Sequence, residues 1–352
     1  MTEWTQRAHV LADHAVSGVL GHVSSLHFDT MSELLWVGSA SGQLTSHTGA
    51  LPTLPRYTSL AAHGAPKQPR HVRGILSDDK FIISLSEGRV CASQRQGLGR
   101  WSMQIEDHAP GVALAGLCAS PQSASSDIIV GGAAPNSHDA LFALHSISGR
   151  IVRSAVSDGT VTQLRKGSRY LCVGTEQGTI QLHDPRSLRA EHKLPAHHGG
   201  LIDLQTDGHL IYSIGWTLRQ GRRIPEPFIK AHDVRTMQAL IPTPLTAPGG
   251  PALLAIHPKK SSIVAVATPQ SQFQLVDIHQ PGQSQFYSMP SAALITALAF
   301  SSSAEALAFG ESDGSVRVWT SDAHANTLRI NAYPTPPVSM PCLLYTSPSP
   351  RD

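Results

Sequence analysis

The chain has 352 residues, 41% hydrophobic, 15% charged and 5% aromatic, with 29 Gly and 25 Pro. Lys plus Arg number 27 against 25 Asp plus Glu, a net charge of +2. So weak a whole-chain field does not drive nucleic-acid binding by itself, and any RNA contact has to be local.

The start, Met1-Thr2-Glu3-Trp4, has no basic segment followed by an apolar core, and no apolar run reaches the roughly 18 residues that a spanning helix needs. The expectation is a chain that is neither secreted nor membrane-spanning. Cys91, Cys118, Cys172 and Cys342 form no CxxC pair, which argues against a zinc site and supplies no disulfide framework. A reducing, cytoplasmic compartment fits this usage.

Short alternating segments bounded by Gly, Pro, Asn and Asp recur along the chain, with turn signals between them. The first group contains Val23–Phe28, Leu34–Val37 and Gln43–His47, ending near Tyr57–Ala62. The second contains Val72–Leu76, Phe81–Leu85 and Arg89–Ser93, closing with Trp101–Ile105. A third runs through Val112–Cys118, Asp127–Val130 and Leu141–His145. The fourth runs through Val161–Leu164, Tyr170–Val173 and Thr179–His183.

The fifth uses Leu201–Leu204, Leu210–Ile214 and Phe228–His232, with an unusually long middle connection. The sixth uses Ala252–Ile256, Ile263–Ala267 and Phe273–Val276, and the seventh Ile295–Phe300, Ala306–Phe309 and Val316–Trp319. The last outer strand comes either from Leu328–Ile330 or from the N-terminal His9–Leu11, the latter clasping the ring and removing two exposed edges.

Within these groups Gln181-Leu182-His183-Asp184, Ile229-Lys230-Ala231-His232-Asp233, Gln274-Leu275-Val276-Asp277 and Ser315-Val316-Arg317-Val318-Trp319 read alike. They recur roughly every 44 residues, the period of a WD-type blade. The fold expected is all-β, a seven-bladed WD-repeat β-propeller over residues 1–330.

From Asn331 a Pro-rich linker begins, with Pro334, Pro336, Pro337 and Pro341 biasing the backbone towards an extended path. It covers 331–342. Residues 343–352 resemble translated cloning-adaptor sequence and are left out of the fold.

Enzyme signatures are absent: there is no G-x-x-x-x-G-K-[ST] loop, no G-x-S-x-G elbow and no H-E-x-x-H pair. His192 with His197 and His198 lacks acidic or Cys partners to complete a metal shell. His22, His63 and His197 sit in Gly-His or Ala-His steps before strands and read as structural. Asp184, Asp233 and Asp277 read as carboxylates that orient turns by accepting from backbone N–H groups.

The long connection in the fifth group is the best local candidate for recognition. Trp216, Arg219, Arg222 and Arg223 place three guanidinium groups beside an indole, a composition suited to phosphate contact and base stacking. Long loops on rigid scaffolds often carry function.

The same region resembles a known family. Trp216-Thr217-Leu218-Arg219-Gln220-Gly221-Arg222, Pro227-Phe228-Ile229-Lys230 and Asp233-Val234-Arg235-Thr236-Met237 are similar to the fifth blade of the catalytic subunit of the fungal poly(A)-nuclease deadenylation complex, a poly(A)-specific ribonuclease dependent on poly(A)-binding protein. Gly249-Gly250-Pro251-Ala252, Ile256-His257-Pro258, Ser271-Gln272-Phe273 and the N-terminal Leu35-Trp36-Val37-Gly38 agree with it. Ala231-His232 departs from the apolar-aromatic step common there.

The resemblance implies a WD-repeat ring, then a linker that binds a regulatory pseudokinase subunit, then a ubiquitin-hydrolase-like domain without protease activity. Last comes a 3′ exoribonuclease using two divalent metals, Mg²⁺, on poly(A) coated with poly(A)-binding protein. It places none of the nuclease carboxylates in residues 1–352, so no cofactor and no catalytic residue is expected here. The readings rank as a deadenylase scaffold, then a WD-repeat adaptor of an unrelated complex, then a propeller hydrolase.

Overall fold

The computed structural model describes residues 3–12, 21–65, 68–121, 127–135 and 139–332. Among them the middle strands of the repeats are the most deeply buried elements: Leu34–Ser39, Ile82–Leu85, Leu171–Thr175 and Ala306–Glu311, each the second strand of its repeat, are buried at every position. Outer strands such as Ile151–Ala155 alternate between half-buried and exposed. A strand covered on both faces needs a near-continuous apolar run, and one covered on a single face needs only alternation.

Seven antiparallel blade sheets result, beside a separate two-stranded pair of Gly64–Ala65 with Gln68–Pro69. Blade 1 is Val23–Phe28, Leu34–Ser39, Leu44–Thr48 and Arg56–Leu60; blade 2 is Gly74–Ser77, Ile82–Leu85, Arg89–Ser93 and Gly99–Gln104. Blade 3 is Ala113–Ala119, Asp127–Ala133, Leu141–His145 and Ile151–Ala155; blade 4 is Val161–Lys166, Leu171–Thr175, Thr179–His183 and Ala190–Pro195.

Blade 5 is Gly200–Asp207, Leu210–Arg219 and Phe228–Asp233, with a broken outer edge made of Gln238–Ala239 and Thr243–Pro244. Blade 6 is Leu253–Ile256, Ile263–Ala267, Gln272–Asp277 and Gln285–Ser288. Blade 7 takes Ile295–Phe300, Ala306–Glu311 and Ser315–Thr320 from the end of the ring and Thr5–Leu11 from its beginning.

The N-terminal strand is therefore the clasp, with Thr5 opposite Thr320 and Leu11 opposite Ser315. Leu328–Ile330, the other candidate, packs beneath blade 1 instead: Leu328 N–H donates to Gly49 O at 2.6 Å and Ile330 N–H to the Glu33 carboxylate at 2.7 Å. The Pro-rich segment from Pro334 and the final ten residues lie outside the described residues.

Each interface between blades has its own apolar cluster. Leu34, Trp36, Leu44 and Ile82 join blades 1 and 2. Ala8, Val23, Val37, Ala308 and Val316 join blade 7 to blade 1. The innermost strands contact one another all the way round and enclose a channel of about 660 Å³.

These strands are bulged at the same place in blades 1, 3, 4, 5 and 7, between Val23 and Ser25, Leu114 and Gly116, Val161 and Gln163, Leu201 and Asp203, and Ile295 and Ala297. A bulge bends its strand and re-aims the extra residue. At Ser24 and Thr296 that residue is a hydroxyl that donates to a carbonyl of the next blade, Val72 O and Val23 O respectively.

Buried polar groups add staples between blades. Arg95 of blade 2 donates from Nε at 2.8 Å and from a terminal nitrogen at 2.9 Å to the two carboxylate oxygens of Asp29 in blade 1. Asp29 is wholly buried and also accepts from Trp36 Nε1 at 3.1 Å and Met31 N–H at 2.9 Å. Burial alone would raise this carboxyl, but the Arg95 fork and the Met31 N–H outweigh it and hold it below the usual range.

Of the histidines in Gly-His or Ala-His steps, His63 is buried and bonded to a strand of blade 2, and His27, inside the first strand of blade 1, is held likewise. His63 Nε2 lies 2.8 Å from Ser84 Oγ, and His27 Nε2 accepts from Ser77 N–H at 3.1 Å. Burial pushes both imidazoles down to about 4, helped at His63 by Arg89. The turn aspartates also act as expected: Asp184 accepts from Arg186 and Ser187 N–H, Asp233 from Arg235 N–H and Asp277 from His279 N–H.

The Arg95→Ala variant, which leaves the Asp29 carboxylate buried without its partner, loses about 3 kcal/mol of stability in a urea titration. A loss within experimental error would show the staple to be neutral. His27, His63 and His197 all titrate near 4 in the fold against 6.5 in the unfolded chain, so below pH 6.5 the unfolded chain binds protons that the ring refuses. Stability is flat above pH 6.5 with respect to these groups, then falls by about 1.4 kcal/mol per pH unit for each histidine down to about pH 4. Denaturation midpoints measured across that range check the slope.

Candidate functional site

The long connection of blade 5 is an ordered β-hairpin and not an irregular loop. Leu210–Arg219 runs past the end of its blade and turns back as Arg222–Pro225, with Trp216 opposite Pro225, Leu218 opposite Arg223 and Arg219 opposite Arg222. The two residues between, Gln220 and Gly221, have φ of 49° and 74°. A two-residue turn with both φ values positive matches the twist of the strands it joins, and the Xaa-Gly order suits it because Gly carries no Cβ.

Alternation along this ribbon separates the predicted residues. Trp216, Leu218 and Arg223 share one face, while Thr217, Arg219, Arg222 and Ile224 share the other. The expected grouping of three arginines beside the indole is therefore replaced by one arginine on the tryptophan face and two on the reverse.

Arg223 lies 3.4 Å from Glu176 in the turn of blade 4. Arg219 and Arg222 are exposed and form no ion pair among the described residues. Trp216 is half-buried and its carbonyl accepts from Gly199 N–H at 2.7 Å, so it belongs to the base of the hairpin. Leu218 and Ile224, 54% and 42% exposed, are apolar additions that the sequence reading passed over.

Beneath the hairpin lies a buried polar chain. Ser213 Oγ is 3.0 Å from His197 Nε2, His197 Nδ1 is 3.0 Å from a Glu226 carboxylate oxygen, and Lys230 Nζ is 2.6 Å from the same oxygen. Hydroxyl, imidazole and carboxylate are connected as in a hydrolytic triad.

The setting is wrong for catalysis. Ser213 is 0% exposed, so no substrate carbonyl reaches it. Burial and the Lys230 charge hold His197 at about 4 against the pull of Glu226, too low for an efficient general base at neutral pH. The chain instead fastens both ends of the hairpin, Ser213 on its first strand and Glu226 just after its second, to the connection that carries His197.

The remaining reactive groups are similarly committed. Burial pushes the Cys91 thiol up to about 11 and those of Cys118 and Cys172 up to about 12, which leaves them inert. His192 meets the edge of the Tyr170 ring. Among the described residues no three His, Cys, Asp or Glu side chains come together to hold a metal, and no helix is long and apolar enough to cross a membrane.

Comparison with known proteins places the chain in a family. A family model described as "PAN2 N-terminal" matches residues 8–320. The chain is 30% identical over 299 residues to the PAN2-PAN3 deadenylation complex catalytic subunit of Schizosaccharomyces pombe, covering 85% of this chain and 26% of the relative. It is 31% identical over 300 residues to the subunit of the same name from Aspergillus oryzae, covering 85% and 24%.

The chain thus spans about a quarter of the length of these relatives. Among solved structures, the Pan2 WD40 domain of Neurospora crassa superposes with a TM-score of 0.80 over 93% of this chain and 98% of that one, at 24% identity, which establishes the fold.

The turn supports the hairpin directly. Gly221→Val forces a β-branched side chain into positive φ, and amide exchange at Thr217, Leu218, Arg223 and Ile224 accelerates by about tenfold or more while exchange in the middle strands of the blades stays unchanged. Unaltered protection in the hairpin would mean that its register does not depend on this turn.

Proposed function

Because the chain belongs to the PAN2 N-terminal family, we propose that it is the propeller platform of the catalytic subunit of a cytoplasmic deadenylation complex that shortens poly(A) tails. The observation that carries this reading is the match of 85% of the chain to about a quarter of subunits bearing that name. The exonucleolytic step belongs to the parts of such a subunit outside the ring. The two divalent metals of that chemistry find no cluster of ligands among the described residues.

In this reading the ring helps present poly(A) coated with poly(A)-binding protein, and the linker after it engages the regulatory pseudokinase subunit. The hairpin of blade 5 is the contact with the ribonucleoprotein. Arg219 and Arg222 form no ion pair among the described residues, share a face with Ile224 and stand on a ribbon held at its base by His197 and Glu226. Fixed cations of this kind meet phosphate at little cost in ordering.

A fluorescent oligoadenylate titrated with the full chain at salt concentrations from about 50 to 200 mM tests the contact. Binding weakens with salt, and the double variant Arg219→Ala, Arg222→Ala lowers the magnitude of the log–log slope by about 1.4. Arg223→Ala, already facing Glu176, changes the slope less. A folded double variant with the wild-type slope removes the hairpin from the reading. The platform role is tested separately: incubated with adenylate-tailed RNA and Mg²⁺, the chain releases no nucleotide, and metal-dependent release from a clean preparation would overturn it.

A further inference from the structure

A groove of about 690 Å³ runs along the rim of the ring between blades 2 and 3. Its lining mixes apolar Met103 from the outer strand of blade 2 and Ile151 from the outer strand of blade 3 with polar His108 and Ser154, and the buried Phe142 backs it. Its lower end is pinned: Trp101 Nε1 donates to Ser146 O at 2.8 Å, and the indole packs on Gly149 so closely that a Cβ there would lie 2.5 Å from the ring. The cleft is therefore preformed.

Two further observations say what fits it. The first is the edge beside it. Exposed edge strands are normally guarded by charge, and the outer strand of blade 4 follows that rule with exposed Glu191, His192 and Lys193. The outer strand of blade 3, Ile151–Ala155, has a single charge, Arg153, and its guanidinium is committed to Asp127 at 2.7 Å and to the Arg186 carbonyl at 2.6 Å. Val152 and Val156 stand 51% and 55% exposed on this edge.

The second is the charge at the two ends. Asp139 lines the groove where the third strand of blade 3 begins, and Arg150 lines it where that strand's turn ends. Neither has an ion-pair partner among the described residues. The strand between them, Leu141–His145, has five residues, about 17 Å when extended.

From these features we infer that the groove between blades 2 and 3 is a docking site for an extended peptide of about five residues. The peptide lies antiparallel to Ile151–Ala155, places a basic side chain at Asp139 and an acidic one at Arg150, and sets a central aliphatic side chain against Met103 and Ile151. Edge hydrogen bonds supply affinity, and the two charges set the direction.

The probes are two capped, fluorescein-labelled peptides, Lys-Thr-Leu-Thr-Glu and its charge-reversed counterpart Glu-Thr-Leu-Thr-Lys, read by anisotropy against the full chain. The first binds at least about tenfold more tightly than the second. Replacing its Leu by Ala abolishes the signal, a result that needs no protein variant. The protein variant Asp139→Arg, Arg150→Glu, altered only at groove ends outside the packed middle strands, inverts the preference. Wild-type protein that binds neither peptide, or both equally, overturns the proposal, as does a folded swap variant with the original order. None of these readouts involves oligoadenylate, so the outcome is independent of the hairpin.

Discussion

A four-stranded blade has two apolar faces and cannot bury either alone, so every blade needs a neighbour on both sides and the ring has to close. Closure rests on the pairing of Thr5–Leu11 with Ser315–Thr320. Without that strand blade 7 would end on Ser315–Thr320, a strand buried at every position, and its edge would face water. Ala8 shows how far the effect reaches: it sits in the same apolar cluster as Val23 and Val37 of blade 1 and Val316 and Val318 of blade 7. The first residues of the chain thus complete the interface between its last blade and its first full one.

Once the ring is closed, polar chemistry inside it is confined to holding blades in register. Bulged Ser24 and Thr296 hand hydrogen bonds to the next blade, Asp203 accepts from Leu254 N–H of blade 6 while facing Arg165 of blade 4, and Arg95 grips Asp29. Such groups are costly to bury unless every partner is present. Their satisfaction fixes where each blade sits. That is why a hairpin rising from blade 5 is carried on a rigid base.

Much of this was legible in the sequence, because the middle strands are buried on both faces and write continuous apolar runs such as Leu34-Leu35-Trp36-Val37 and Ile82-Ile83. Outer strands were harder to see. Ala190–Pro195, with Glu191, His192 and Lys193 in succession, has no apolar period to read, since only one of its faces touches protein. The clasp was one of two options, because pairing across the whole chain length leaves no local signal. The fifth-blade insertion read as a loop since its turn, Gln220-Gly221, and its flanking arginines resemble loop composition; strand register, which a linear list does not contain, then divided Arg223 from Arg219 and Arg222. The Ser213–His197–Glu226 chain was missed because its members are distant in sequence and Glu226 hides between two prolines.

A propeller built this way has little freedom to place reactive groups inside. Its thiols are raised out of reach of ionisation at neutral pH and His27, His63 and His197 are kept neutral. Charges that form no ion pair with the described residues include Arg219 and Arg222 on the hairpin and Asp139 and Arg150 at the two ends of the rim groove. Recognition by unpaired surface charge is weak at any one point and falls with salt. Two such points on one rigid body, separated by blade 4, would hold a partner that reached both far better than either could alone, because the second contact would form at the effective concentration set by the first. The burial of the described thiols and of the Ser213–His197–Glu226 chain and the rigidity of the ring are therefore two consequences of the same packing.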